Sequence, residues 1–263
     1  MSDIQEEKQM SLFDIIGPIM VGPSSSHTAG AARIGYMTRQ IMGEDIVEAK
    51  IDLYGSFLAT GKGHGTDKAL VAGLLAMKPD DYRIPYSFEH AKERGMKFSF
   101  GEAFLRDAHP NTVVITATGV SGRVRTIEAA SIGGGSIRVN KIDDMEANFT
   151  GDYPTLLIRN QDKPGMVLKI VSKMSEFNIN IANLVLSKDM KNKGTAITVI
   201  ECDDAIPFAM VDEIRSWEEI SRVLYLYSED MVISEETQKR LDEYNERKYR
   251  ELAELKKKKE QEE

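Results

Sequence analysis

The chain has one cysteine, Cys202, one tryptophan, and few aromatic residues of any kind, 7% of its 263 positions. One thiol excludes a disulfide framework, and it cannot supply a multi-thiolate metal centre by itself. Cys202 follows the strand-like run Ala196-Ile197-Thr198-Val199-Ile200 and reads as a half-buried structural thiol. No apolar run approaches the roughly 20 residues of a membrane-spanning helix. The start, with Asp3, Glu6 and Glu7, lacks the basic region of a signal peptide. A cytoplasmic protein without a membrane partner is expected. Positive charge is scarce too: 34 Lys and Arg against 42 Asp and Glu give a net charge of −8, which argues against nucleic acid as a partner. The length suffices for two compact domains.

Against that background, one stretch concentrates chemistry. Gly22-Pro23 is followed by Ser24, Ser25, Ser26, His27 and Thr28, and helix-period apolar residues (Ala29, Ala31, Ala32, Ile34, Met37) begin at once. Ser and Thr at such a junction cap a helix, whose free first-turn N–H groups can hold a carboxylate or phosphate. His27 puts a titratable group at the mouth of that cradle. The plainer reading makes Ser25 or Ser26 an N-cap and His27 a surface residue. A second imidazole, His109, is held extended by Pro110 and stands with Asn111 at the entrance of the β-branched run Thr112 to Thr118. Ser131 precedes Gly133, Gly134 and Gly135, which suit either close approach of backbone to a ligand or a hairpin turn. The run Gly61-Lys62-Gly63-His64-Gly65-Thr66-Asp67-Lys68 is glycine-rich but lacks the spacing of a nucleotide loop.

In order along the chain, these motifs resemble the β chain of the iron–sulfur-dependent bacterial L-serine dehydratases (L-serine ammonia-lyases). Ser11-Leu12-Phe13-Asp14-Ile15-Ile16-Gly17-Pro18 with the Gly22–Thr28 stretch is similar to that family's amino-terminal signature; Gly61 to Asp67, His109-Pro110-Asn111-Thr112 and Ser131 to Gly135 are similar to its later ones. The resemblance implies α,β-elimination of water from L-serine, giving aminoacrylate, then an imine, then pyruvate and ammonia. It implies His27 and His109 as catalytic groups. It also implies Ser24, Ser25, Ser26, Thr28, His64, Asn111, Ser131, Gly133, Gly134 and Gly135 as substrate contacts. A [4Fe–4S] cluster with an open iron site would be ligated by a cysteine-bearing α chain, so this chain contributes part of a shared cleft. Which histidine is base and which binds substrate stays open, and the α chain could supply the base instead.

Three regions separate. Residues 10–145 mix helices (28–42 and 66–77) with strands (46–54, 112–118 and 123–130) in an order that is α+β rather than doubly wound. The polar run from Asn140 through Asp152 reads as a linker. Residues 153–228 follow a βαββαβ order: the strand at Thr155, the Asp162-Lys163-Pro164-Gly165 turn, the helix through Val167, Ile170, Val171 and Met174, and Asn178-Ile179-Asn180-Ile181 resemble an ACT domain of ferredoxin-like fold. That resemblance implies an amino-acid ligand at Asn160, Asp162 and Gly165, or a dimerising brace in which Asp162 is only a helix N-cap. Residues 234–263 are a charged helix with a narrow apolar stripe, capped by Ser234 and fraying from Lys256. Two other readings stand beside the enzyme subunit. A stand-alone serine-binding regulator would purify without a cysteine-rich partner. A pyridoxal-phosphate dehydratase would need Lys62 or Lys68 as Schiff base.

Overall fold

The structure is a computed structural model and describes residues 20–227 and 235–262. The Ser11–Pro18 signature and the Ser234 cap lie outside the described residues. The chain enters α1 (Gly30–Met42) through a π-helical turn, Ser25–Ala29. It continues through β1 (Ile46–Leu53), α2 (Gly55–His64), α3 (Thr66–Leu74), α4 (Ser87–Glu93) and β2 (Lys97–Glu102). An antiparallel run β3 (Thr112–Gly119), β4 (Val124–Gly133), β5 (Ser136–Ile142) and β6 (Met145–Phe149) completes the first domain. Its sheet has the order β2-β1-β3-β4-β5-β6, with β1 and β2 parallel and the other neighbours antiparallel. One parallel pair in a meander is the expected α+β class.

Helices α1 and α3 cover one face of this sheet and cross each other at glycines. A Cβ on Gly73 would overlap the Ala32 carbonyl and the Tyr36 nitrogen, and one on Gly35 would overlap the Leu70 carbonyl. Backbones this close let the flanking Ala31, Ala32, Ile34, Leu70, Val71 and Leu74 bury fully, in the close-packed manner of protein interiors.

Four expectations need correction. Residues 140–149 are not a linker: Val139, Ile142, Met145, Ala147 and Phe149 point inward on the hairpin β5–β6. Asp143 and Asp144 supply its turn, at φ 52 and 68. The polar residues that suggested a linker are the outward half of a period-two pattern. The connection to the second domain is only 150–154. The stretch Gly61–His64 is not a loop either but the last turn of α2, with Gly65 turning the chain into α3. The sequence Gly55-Ser56-Phe57-Leu58-Ala59-Thr60-Gly61-Lys62-Gly63-His64 has poor helix propensity, and burial of Phe57 against the core holds it. Finally, α3 ends at Leu74 rather than 77, while α4 and β2 lie where no element was expected.

The second domain is β7 (Thr155–Gln161), α5 (Met166–Glu176), β8 (Ile181–Lys188), β9 (Thr195–Cys202), α6 (Phe208–Arg215) and β10 (Ile220–Leu226). Its strand order β10-β7-β9-β8, antiparallel throughout, is the ferredoxin-like βαββαβ arrangement. Leu156 and Ile158 face the helices, whereas Leu157, Ile197, Val199 and Leu226 join the core of the first domain. Cys202 is fully buried rather than half-buried, and burial pushes its thiol up to about 12. A final helix, α7 (Glu235–Glu262), buries Leu241 and Tyr244 against this domain and accepts the Ala209 N–H on Asn245 Oδ1 at 2.9 Å. Its backbone stays helical through the Lys256–Lys259 run rather than fraying there.

The glycine crossing gives a paired test. Gly73→Ala should destabilise the protein by about 1–3 kcal/mol through overpacking, read as a fall in Tm of several degrees. Gly63→Ala, whose Cβ would meet nothing within 4 Å, should be neutral or slightly stabilising. Equal Tm values for the two variants would remove the crossing from the account.

Candidate active site

The hydroxyl–imidazole run folds as a capped helix start. Ser24 is the N-cap: its Oγ accepts the His27 N–H at 3.0 Å, and its carbonyl accepts the N–H groups of Thr28 and Ala29. Capping therefore falls one residue before the plainer reading placed it. Ser25 and Ser26 then lie in the first turn, where N–H groups have no intrahelical acceptor. The π-helical widening keeps Ser24 to His27 half-buried while Thr28 to Gly30 are buried.

Two reciprocal bonds lock this turn to the α2–α3 junction. Thr28 Oγ1 donates to the His64 carbonyl at 3.0 Å, and Thr66 Oγ1 donates to the His27 carbonyl at 2.9 Å. They hold the His27 ring between Phe57, edge-on at 5.5 Å, and His64, at 5.2 Å between centroids. His27 Nε2 meets Ser56 Oγ at 3.0 Å and Thr60 Oγ1 at 3.2 Å. Thr60 commits its only proton to the Ser56 carbonyl at 2.9 Å, so its oxygen can meet Nε2 only as an acceptor. Nε2 thus sits between two hydroxyl oxygens, of which Ser56 Oγ can either donate to it or accept from it. Burial, with the nearby His64 imidazole, holds the His27 pKa below its usual value. The neutral, proton-accepting form is favoured.

The other motifs meet the cradle through backbone. Tyr54 N–H donates to the Thr112 carbonyl at 3.0 Å and Ser56 N–H to the Pro110 carbonyl at 2.7 Å, which seats the 109–111 segment beside the start of α2. His109 is exposed, and its Nδ1 accepts the Asn111 N–H at 3.1 Å. A neutral His109 then carries its proton on Nε2 and offers a donor. Ser131 N–H donates to the Asn111 carbonyl at 3.0 Å. The Ser131 side chain is fully buried against Gly30, where any Cβ would overlap its Oγ, and that Oγ has no hydrogen-bond partner among the described residues. The structure thus gathers Ser24–Thr28, His64, His109, Asn111 and Ser131 around the entrance to α1.

Gly133, Gly134 and Gly135 form the β4–β5 hairpin turn, with φ of 110, 59 and 83. The Gly135 carbonyl is taken by Arg33 at 3.1 Å. The turn reading holds for these glycines. Ser56 and Thr60 were missed by sequence reading, although Gly55-Ser56 immediately after a strand was an available signal. In the second domain, Asn160 is a buried strand residue whose amide bonds Thr198 and the Gln161 carbonyl. Asp162 pairs with Lys188 at 2.8 Å and is not an N-cap; Gly165 occupies that position with open space beside it.

Residues 11–141 match the serine dehydratase beta chain family. The chain is 37% identical over 217 residues to a probable L-serine dehydratase, beta chain, of Bacillus subtilis, covering 82% of this chain and 97% of that one. It is 36% identical, with the same coverage, to the L-serine dehydratase, beta chain, of Peptoniphilus asaccharolyticus. Among solved structures, the ACT domain from GTP pyrophosphokinase of Chlorobium tepidum is similar at 23% identity and a TM-score of 0.23, covering 28% of this chain and 95% of that one.

Removing the His64 imidazole should let His27 keep its proton to higher pH. In an NMR titration of the imidazole resonances, wild-type His27 should titrate below the usual 6.5. In His64→Gln its pKa should rise toward that value without passing it, because the burial persists. An unchanged His27 pKa would remove His64 as a cause.

Proposed function

This chain belongs to the serine dehydratase β-chain family, and from that footing we propose that it supplies the carboxylate cradle and the α-proton acceptor for elimination of water from L-serine, working with a cysteine-bearing α chain. The carrying observation is the different setting of the two imidazoles. His27, its pKa lowered by burial and by His64, lies with Nε2 between the Ser56 and Thr60 hydroxyls beside the cradle, and His109, which accepts a backbone N–H on Nδ1, presents Nε2–H. In this reading the substrate carboxylate lies on the N–H groups and hydroxyls of Ser25 and Ser26, where the helix terminus favours an anion. The buried Ser131 hydroxyl and the Asn111 amide make the remaining polar contacts. His27 takes the α-proton, and His109 donates to a substrate oxygen. The C3 oxygen departs with its bonding pair as hydroxide and is protonated to water. Aminoacrylate then tautomerises to the imine, which water hydrolyses to pyruvate and ammonia.

The residues present do not fit an iron–sulfur cluster. Cys202 is fully buried in β9 with its thiol pushed up to about 12, and among the described residues no group of three His, Cys, Asp or Glu side chains could hold a metal ion. In this reading a [4Fe–4S] cluster, and its action on the C3 hydroxyl, would be held by the α chain. No described helix is long and apolar enough to cross a membrane. In the second domain, the open space at Gly165 supports amino-acid sensing at the start of α5. Leu168, 72% exposed on that helix, supports self-association through the same face.

In the complex with its α chain, His27→Ala and His109→Ala should each lower kcat/KM by more than about tenfold, since general acid–base groups contribute roughly 10²–10⁴-fold. His90, paired with Glu93 at 3.1 Å on α4, should be nearly silent as His90→Ala. Three alike responses with intact folding would remove the assignment. Anaerobic reconstitution of the chain alone should give no stoichiometric cluster absorbance and no serine turnover. Turnover by the chain alone would overturn the division between subunits, and serine binding with no partner ever recovered would favour a regulator.

A further inference from the structure

Between the two domains, where the second sheet lies on the hairpin β5–β6 and the end of α1, is a cavity of about 40 Å³. Its walls are mostly apolar, including Leu157 and Ile197, yet three guanidinium groups, Arg125, Arg159 and Arg222, and one carboxylate, Asp143, reach it. Two are neutralised, Arg125 by Asp143 at 2.5 Å and Arg159 by Asp189 at 2.9 Å. Arg222 is not. Its Nη2 donates to the Met42 carbonyl at 3.0 Å and the Ile41 carbonyl at 3.4 Å, at the C-terminus of α1. Among the described residues no carboxylate lies within 4.0 Å of it. The helix terminus offsets about half a charge; burial, then Arg123 and Arg125, weaken the hold of Arg222 on its proton, while Glu44 and Asp143 act in the opposite sense. Partly buried cations beside apolar walls are normally paired. Arg222 feels Glu44 and Asp143 only from further away and has no carboxylate bonded to it.

We propose that the interdomain cavity binds a short monocarboxylate, its carboxylate on Arg222 and its carbon chain against Leu157 and Ile197. The size fits: a water needs about 10–15 Å³ on this measure, so the space takes a carboxylate with one or two carbons. A methyl or similar group suits the apolar walls, whereas inorganic phosphate would set four polar oxygens against them. A guanidinium fork matches a carboxylate in two parallel hydrogen bonds. The site differs from the α1 cradle and does not depend on the elimination reading. It lies at the opposite end of the same helix, so a ligand drawing on Arg222 acts on the carbonyls that end α1.

The test is calorimetry and thermal unfolding of the full chain with acetate, with pyruvate and with inorganic phosphate at matched ionic strength. Acetate and pyruvate should bind saturably with millimolar Kd. At ten- to hundredfold excess they should raise Tm by roughly 2–6 °C. Phosphate should add nothing beyond its ionic-strength effect. Arg222→Met should weaken binding at least about tenfold. Ile197→Phe, which fills the cavity and keeps Arg222, should weaken it similarly, and decides the matter if Arg222→Met does not fold. Absence of saturable binding at roughly 100 mM, equal binding of phosphate, or wild-type binding in a cooperatively folded variant would each overturn the proposal.

Discussion

The crossing of α1 and α3 at Gly35 and Gly73 is the constraint on which the rest depends. With no side chain between the backbones, the two helices sit at a fixed depth and register on the sheet. That register brings the N-terminus of α3, through Thr66, to the carbonyl of His27, and the end of α2 to Thr28. The imidazole is therefore positioned by backbone packing at Gly35, further along the same helix. A rigid helix pair carrying a loop-like functional turn is an economical way to hold a site, because rigid elements set geometry more tightly than loops do.

Within the site, the chemistry follows from where hydroxyl protons can go. Ser56 and Thr60 share one turn of α2, and the Thr60 proton is spent on the Ser56 carbonyl. His27 Nε2 is left between the two hydroxyl oxygens, while His109 takes the N–H of Asn111 on Nδ1. Second partners of this kind orient an imidazole as effectively as they do in metal and triad sites. The buried Ser131 hydroxyl is the exception. Among the described residues it has no hydrogen-bond partner, a cost of about 1–3 kcal/mol.

The two domains share apolar core rather than touching across a wet interface. Alternate residues of β7 and β9 serve both sides: Leu156, Ile158 and Ile200 pack under the helices, while Leu157, Ile197 and Val199 pack on the first domain. The β6 and β8 edges are also tied by side chains, with Ser187 Oγ accepting the Glu146 N–H at 3.1 Å and Asn183 Nδ2 donating to the Asn148 carbonyl at 3.0 Å. This arrangement leaves the second domain little freedom to rotate independently, and it puts Arg222 within reach of the end of α1.

The amino-acid sequence by itself determined the motifs, their order and the βαββαβ pattern of the second domain, because periodicity, glycine turns and β-branched runs are local properties. It also determined that one thiol could not build a cluster. Tertiary structure decided what locality cannot carry. A glycine-rich segment with poor helix propensity became α2 because Phe57 is buried there. A polar stretch became β5–β6 because its inward residues found a core. The glycine run became a turn, and Asp162 became half of an ion pair with Lys188 rather than a cap. Ser56 and Thr60, twenty-nine and thirty-three positions from His27, entered the site only once the chain had folded. Which hydroxyls come within hydrogen-bond reach of an imidazole is set by packing between residues far apart in the chain.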